Sequence, residues 1–433
     1  RRALAASMIL GYAERSKLNL SHVEALTTYS VDGYMRLDPA TRRSLELTQN
    51  LADGGRKFTL LATLDTTTTS MGARTLRRWI DQPLLDMSAI VARHDSVERL
   101  VSQALVRNDL REGLKRVSDV ERLVARCAEG LAGPRDLASL CASLAALPKL
   151  ADPLRKVGIG RIQELREMIS DHSEICSLLE RSIAPDPPHS IRDGGVIRQG
   201  YDMELDKLRE LGKSGKSYIA ELEASERRST GIATLKVGFN SVFGYYIEVS
   251  KQHSDKVPSG YIRKQTTANA ERYITAELKE HESLVLGAEE KALELEGHVF
   301  GRIRLRVAEL APALLRTARA LGELDCLCSL AEVAVRKRYC RPEMLADDVL
   351  HVEGGRHPVV EEAAPSFVPN ELELGGIAPQ RIVILTGPNM SGKSTYLRQA
   401  ALIVLMAQIG SFVPARKCAM GLCDRIFARI GAK

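Results

Sequence analysis

The stretch Arg381-Ile-Val-Ile-Leu-Thr-Gly-Pro-Asn-Met-Ser-Gly-Lys-Ser-Thr395 constrains this chain more than any other. It opens on Ile382 to Leu385, a β-branched and aliphatic run of the kind buried in parallel sheets. Gly387, four intervening residues, Gly392, Lys393 and Ser394 then satisfy the spacing G-x-x-x-x-G-K-[ST]. Tyr396 to Ile409 follows as an apolar helical run without Pro or Gly. Strand, glycine loop and helix, in that order, are what a phosphate cradle requires. The glycines let consecutive N–H groups curl round a phosphate, and the helix N-terminus adds partial positive charge. Lys393 is placed to reach the β- and γ-phosphates, and the Ser394 hydroxyl to ligate Mg²⁺. The spacing therefore predicts a phosphate-binding loop.

At 433 residues the chain has room for two to four domains. With 27% charged and 44% hydrophobic residues, it is neither a disordered nor a membrane composition. The longest unbroken apolar run, Ala400 to Ala407, falls short of a bilayer span, so no membrane partner is expected. No signal peptide opens the sequence, which starts Arg1-Arg2. Eight cysteines are scattered; Cys326 and Cys328 are close but lack a partner pair at zinc spacing, and Cys418 and Cys423 stand apart. They read as reduced thiols, which points to the cytosol. The formal charge of +6 permits an anionic partner.

Residues 1 to about 180 read as one helix after another. Asp38-Pro39 has the form of an N-cap with proline in the first turn. Ser70 to Ile80 is a second helix, stopped near Pro83; its Arg74, Arg77 and Arg78 suit either DNA or a solvated face. Asp119 to Glu129 and Arg135 to Leu147 are separated by Gly133-Pro134. In the latter, Leu137, Leu140, Cys141, Leu144 and Leu147 form a core stripe at helical spacing. From about Arg198 to Arg228 a long, charged helix carries a narrow seam of Leu205, Leu208, Leu211, Tyr218 and Leu222, as for pairing with one neighbour. Its Gly212-Lys-Ser-Gly-Lys-Ser217 imitates a phosphate loop, but Glu210 stands where the first glycine is needed and no strand precedes it. It reads as a weak point in the helix.

Residues 231 to 275 differ. Six of the eighteen Phe and Tyr lie there (Phe239, Phe243, Tyr245, Tyr246, Tyr261 and Tyr273), with turn signals at Asn240-Ser241 and Pro258-Ser259-Gly260. That pattern predicts short strands. Lys236, Lys251, Lys256, Arg263, Lys264 and Arg272 outnumber Glu248, Asp255 and Glu271. A second charged helix runs from about Thr275 to a break near Pro312. A basic β module carried between two long arms suits contact with a phosphate backbone; an ordinary small β domain with solvated lysines is the alternative. After Tyr339-Cys340-Arg341-Pro342 an α/β texture begins. No aliphatic run ending in Asp or Glu follows Ser394, since Asp424 precedes its apolar neighbours, so the acidic metal partner of a phosphate-loop ATPase is missing. The sequence reads as a fragment.

Thr386-Gly-Pro-Asn-Met-Ser-Gly-Lys-Ser-Thr-Tyr-Leu-Arg-Gln399 resembles the phosphate loop of the MutS DNA mismatch repair family, in which Pro-Asn-Met is distinctive. Gly238-Phe-Asn-Ser-Val-Phe-Gly-Tyr-Tyr-Ile247, Tyr261-Ile-Arg-Lys-Gln-Thr266 and Asn269-Ala-Glu-Arg-Tyr273 are similar to its DNA clamp. Leu37-Asp-Pro-Ala-Thr-Arg-Arg-Ser-Leu-Glu-Leu47 and Met71-Gly-Ala-Arg-Thr-Leu-Arg-Arg-Trp79 are similar to its helical core. The resemblance implies a multidomain, mostly α-helical chain: core over 1–195, lever helix over 196–230, β-rich clamp over 231–275, returning lever and core over 276–340, and the first part of an ABC-type α/β ATPase domain over 341–433. It further implies a parent protein that is a DNA-dependent ATPase of the bacterial cytoplasm and nucleoid. That parent would encircle double-stranded DNA as a homodimer, detect mispairs and loops, and use ATP and Mg²⁺ to become a sliding clamp that recruits a MutL-type partner. On this reading Gly387, Pro388, Asn389, Met390, Ser391, Gly392, Lys393, Ser394 and Thr395 bind ATP, Lys393 acts in catalysis and Ser394 faces Mg²⁺. Phe367 falls where the family stacks an aromatic on adenine; a core phenylalanine is the other reading. Arg263, Lys264 and Asn269 fall on the clamp face near the DNA backbone. The family's mispair-reading Phe-x-Glu domain, second acidic strand and dimerising C-terminus are not in this stretch, so the chain alone is expected to be inactive as an ATPase. Rival readings are a meiotic-type paralogue that clamps branched DNA and a helical interaction scaffold with a non-functional nucleotide site. A coiled-coil chromosome-organising ATPase would place the phosphate loop before the arms, not after them.

Overall fold

The computed structural model describes residues 2–17, 33–158, 160–240, 244–267, 269–364, 366–376, 381–388 and 391–429, without the side chains of 2, 214–217, 219 and 220. Its helices are α1 (Arg2–Arg15), α2 (Pro39–Ser44), α3 (Leu60–Leu64), α4 (Ser70–Asp81), α5 (Met87–Ser102), α6 (Ala104–Leu114), α7 (Val120–Ala128), α8 (Pro134–Ala146), α9 (Pro148–Val157), α10 (Arg161–Met168), α11 (Ser173–Ser182), α12 (Met203–Thr230), α13 (Ala276–Glu309), α14 (Ala311–Lys337), α15 (Val360–Ala363) and α16 (Lys393–Gln408). The strands are β1 (Arg36–Leu37), β2 (Lys236–Asn240), β3 (Gly244–Ser250), β4 (Ile262–Thr266), β5 (Ala270–Ile274), β6 (Glu343–Met344), β7 (Val349–Gly355), β8 (Asn370–Gly375), β9 (Lys417–Met420) and β10 (Arg425–Ile426). The chain is mostly helical with small sheets. It divides into one compact unit of residues 1–131, 139–176 and 307–433, and another of 132–138 and 177–306.

The first unit is built round α14, which is buried along most of its length and packs against α4, α5, α7 and α10. Helices α4 and α14 cross at two glycines. A Cβ on Gly72 would lie 2.2 Å from the Asp325 carboxylate, and one on Gly322 would lie 3.1 Å from the Met71 carbonyl oxygen. Asp325 is fully buried. Its carboxylate accepts hydrogen bonds from the Thr69 N–H and hydroxyl, both at 2.7 Å, and from the Thr68 N–H at 3.0 Å and hydroxyl at 3.1 Å. A buried charge without partners would cost several kcal/mol, roughly 3–5, so this satisfied carboxylate fixes how α14 meets the start of α4. The start signals behave as their residue types require: Asp38 accepts from the Thr41 N–H at 2.7 Å, with Pro39 in the first turn. Asp119 caps α7, and the glycine and proline at 133–134 separate α7 from α8. The stretch Pro134–Val157 has the length and composition to cross a bilayer, yet half of its apolar window is buried inside the protein. Arg74 does not face solvent alone; it bonds Asp119 at 2.6 and 2.8 Å and Glu121 at 2.6 Å.

The same unit holds a four-stranded sheet in the order β6-β9-β7-β8, parallel only between β6 and β9, and a two-residue parallel pair of β1 with β10. Helix α16 is buried from Leu402 to Gln408. Its C-terminal carbonyls are capped from α5, by the Arg93 guanidinium on the Ile409 oxygen and His94 Nε2 on the Ala407 oxygen, each at 3.0 Å. Arg93 lies over the Trp79 ring at 3.5 Å. One strong expectation fails: Ile382 to Leu385 is not a buried strand. Residues 381–388 pair with no strand among the described residues, and Ile382 and Ile384 are 82% and 83% exposed. An apolar run of this kind is stable as a strand only between hydrogen-bonded neighbours with both faces covered, and the described residues supply neither.

In the second unit α12 and α13 are long helices, the 28 residues of α12 reaching about 42 Å at 1.5 Å per residue. Asp202 caps α12 through the N–H groups of Glu204 and Leu205, and Gly231 ends it in the left-handed conformation. The expected seam is displaced at one position: Leu205 and Leu222 are buried, but Leu211 is exposed and Gly212 is buried. Position 212 lies one heptad after the buried Leu205, a phase that Leu211 leaves, and a Cβ on Gly212 would meet Glu289 of α13 at 3.3 Å. Gly212 is therefore a point of close helix approach. At the base, the buried Glu296 accepts from the Gly195 N–H at 3.0 Å, the Ile197 N–H at 2.7 Å and Arg209 at 2.6 Å. Strands β2 to β5 form an antiparallel sheet in the order β2-β3-β5-β4. Its core joins Leu222, Ile232, Leu235, Ile247, Val249, Tyr273 and Leu278.

Candidate functional site: a phosphate loop and a basic sheet

Gly387 and Gly392 both take positive φ, +151° and +88°, which is the freedom the glycines of a cradle must have. Gly392 is the N-cap of α16 and supplies no side-chain cap, so the first N–H groups of the helix face the loop. The Lys393 ammonium folds back onto the carbonyl oxygens of Gly387 and of Pro388, the latter at 2.6 Å. Gly387, Pro388, Ser391, Gly392 and Ser394 are exposed, while Lys393 and Thr395 are half-buried. Asn389 and Met390 lie outside the described residues. The loop thus gathers a cation, a hydroxyl and uncapped N–H groups at one helix end, the donor set that an anion requires.

Phe367 sits in the link between α15 and β8 and is half-buried, outside the buried core. Among the described residues no hydrogen bond or ring contact joins Phe367 itself to the loop. Its segment, however, is tied to α16: the Tyr396 hydroxyl donates to the Glu371 oxygen at 2.9 Å, and the Asn370 amide donates to Gln399 at 3.4 Å. Reading the sequence missed Tyr396 and Gln399. The available signal was their recurrence three and six residues after Lys393 as polar side chains in the first turns of the helix.

On the basic sheet, the three expected backbone-facing residues have different surroundings. Arg263, 62% exposed, pairs with Glu271 across the sheet at 3.0 Å. The Tyr273 hydroxyl, and after it Arg263, hold the Glu271 carboxyl below its usual range. Lys264 is exposed and sits in a β-bulge: Arg263 pairs Tyr273 and Gln265 pairs Arg272, so Lys264 is the extra residue. A bulge with a lysine on an edge strand also blunts that edge against further strand pairing. Asn269 is exposed in the β4–β5 turn, where its carbonyl accepts from the Lys251 N–H at 3.2 Å. Arg272 is not free to reach outward; it bonds Glu248 at 2.9 Å and lies over the Tyr246 ring at 4.3 Å. Among the described residues, Lys236, Lys251, Lys256 and Lys264 are exposed without an ion-pair partner. Most of the aromatics are packing: Tyr273, Tyr245 and Tyr261 belong to or line the core, and Phe239 is half exposed against Tyr245. Phe243 lies outside the described residues.

Residues 40–331 match the family description MutS domain III, and residues 383–433 match MutS domain V. Curated relatives carrying the name DNA mismatch repair protein MutS include that of Desulforamulus reducens, 48% identical over 99% of this chain and 50% of its own length. That of Ruminiclostridium cellulolyticum is 49% identical over 99% and 49%, and that of Geobacillus kaustophilus 46% over 99% and 48%. The chain spans about half the length of the curated relatives it matches. With domain III alone covering well over half of the residues, and the phosphate loop and basic sheet in the family's order, this chain belongs to the MutS family.

Proposed function

We propose that the chain forms the DNA-clamping and nucleotide-sensing part of a DNA mismatch repair ATPase. The observation that supports this best is the presence, in one MutS-family chain, of the uncapped, glycine-flanked start of α16 and of a β module whose Lys236, Lys251, Lys256 and Lys264 have no ion-pair partner among the described residues. On this reading Gly387 to Thr395 hold the phosphates of ATP, Lys393 neutralises the β- and γ-phosphates, and Ser394 faces Mg²⁺. The Lys393 ammonium, now bonded to Gly387 and Pro388, would exchange those two carbonyl acceptors for phosphate oxygens. Bound Mg²⁺ would supply charge neutralisation on the same oxygens. Phe367 offers a partly open ring for an adenine, on a segment anchored to α16. Lys264, Arg263 and Asn269 meet the DNA backbone, where contacts fix position without reading sequence. An ABC-type ATPase domain requires neighbours for Ile382 to Leu385, and the exposure of that run supports a sheet completed by further chain. Mispair recognition, homodimerisation round double-stranded DNA, a MutL-type partner and a place in the bacterial cytoplasm at the nucleoid belong to the same proposal. The names of the relatives favour mismatch repair over a paralogue acting on branched DNA or a helical scaffold.

The test is Lys393→Ala in the full-length protein. ATP-driven release from DNA should be lost with DNA binding itself retained, because only the cation on the phosphates is removed. Unchanged ATP-driven release in the variant would overturn the nucleotide assignment. The 433-residue chain alone should release no phosphate above its own Lys393→Ala control.

A further inference from the structure

We propose that Cys141 and Cys176 form a dithiol site that small-molecule disulfides, such as oxidised glutathione, close into an intramolecular disulfide. Cys141 lies on α8 and Cys176 on α11, both within the first unit. Their sulfur atoms lie within 4.8 Å of one another. The contact is reciprocal: the Cys141 Sγ is 3.9 Å from the Cys176 carbonyl oxygen, and the Cys176 Sγ is 4.0 Å from the Cys141 carbonyl oxygen. Such symmetry sets the two backbones side by side, and the remaining approach to a bond of about 2.05 Å is on the scale of a rotamer change.

Accessibility separates this pair from four of the other six thiols, Cys340 and Cys423 being half-buried as well. Both cysteines are half-buried, whereas Cys127, Cys326, Cys328 and Cys418 are buried. Burial pushes the Cys328 and Cys418 thiols up to about 12, keeping them protonated as well as out of reach. Exchange needs a reachable thiolate, and closure needs a second thiol beside the first. The Cys141–Cys176 pair brings two half-buried thiols sulfur to sulfur.

The chemistry balances in two displacements. One thiolate attacks a sulfur of the small disulfide, forming a mixed disulfide and releasing one small thiol. The second cysteine then gives its proton to solvent and attacks the protein-side sulfur, forming the Cys141–Cys176 bond and releasing the other small thiol. Two protein thiols are oxidised, and one small disulfide is reduced to two thiols. With the second sulfur already adjacent, the mixed disulfide is short-lived, and the product bond ties α8 to α11.

The test treats the folded 433-residue chain with oxidised glutathione and maps its peptides without reduction. The expected product is a Cys141–Cys176 cross-linked peptide, two hydrogens lighter than the reduced pair and free of glutathione. Cys141→Ser should trap one glutathione on Cys176, and Cys176→Ser one on Cys141. Cys423, half-buried with its sulfur 3.0 Å from the Arg425 oxygen, serves as a single-thiol comparison that keeps any adduct it acquires. The buried Cys326 and Cys328 should stay unmodified, showing that the fold is intact. A lasting glutathione adduct on either member of the pair in the unsubstituted chain would overturn the proposal. So would closure only when Cys326 and Cys328 also react, or no closure at all.

Discussion

Single residues set how this chain answers to acid. His94 is buried with its Nε2 donating to the Ala407 oxygen, and burial, not that bond, keeps the ring neutral in the folded state. Burial pushes His94 from the usual 6.5 down to about 4, and does the same to His357. His357 accepts from the Val359 and Val360 N–H groups through Nδ1, which would be lost on protonation at that nitrogen. The sign follows from which state binds the proton. Between pH 6.5 and 4 the unfolded chain is protonated at these positions and the folded chain is not, so stability falls as pH falls through that window. Each histidine should remove about 2 kcal/mol by pH 5, relative to neutral pH. Denaturant titrations at pH 7 and pH 5 check this: His94→Gln should roughly halve the part of the loss that the pair carries. An unchanged pH dependence in that variant would contradict the assignment.

Among the elements, the closest fit is where α4 meets α14. Gly72→Ala would place a methyl 2.2 Å from Oδ2 of the Asp325 carboxylate, a group that four hydrogen bonds hold in place. The clash cannot be relieved at the end of a flexible side chain, so a loss of roughly 1–3 kcal/mol is expected in equilibrium unfolding. Gly212→Ala should be near neutral by contrast, because among the described residues the near neighbour is the Glu289 side chain at 3.3 Å, a flexible side chain rather than backbone, and Ala favours helix. The edge strand β4 gives another contrast. Arg263 carries its own counter-charge in Glu271, and the bulged Lys264 does not. Lys264→Ala should therefore flatten the log–log salt slope of DNA binding by about 0.9, and Arg263→Ala by less. Equal effects would mean that the Glu271 pair breaks on binding. Much of this was legible in the sequence: the cap at Asp38, the long charged helices, the aromatic strands and the start of α16. The bulge at Lys264 was not, because one extra residue in a five-residue strand leaves no mark on its alternation. Nor was Gly212 as a helix contact, since a glycine between two lysine-serine pairs looks the same whether it weakens a helix or lets a neighbour in.

For the whole molecule, what the sequence could and could not show turns on one distinction. Gly387, Gly392 and Lys393 carry their chemistry locally, so the loop is recognisable from spacing alone. Ile382 to Leu385 carries the signature of a buried strand, but burial depends on neighbours that a local pattern does not supply, and here the run is exposed. The central claim is that this chain grips the DNA backbone through the β2–β5 sheet without reading the bases. Fluorescence anisotropy over a salt series, with a matched duplex and one holding a G·T mispair, tests it most directly. With three to five phosphate contacts the log–log slope should lie between roughly −3 and −5, the same for both duplexes. Reversing Arg263 and Lys264 to Glu should weaken both alike and flatten both slopes. A preference for the G·T duplex that survives the double reversal would contradict the account, placing base reading elsewhere in these residues.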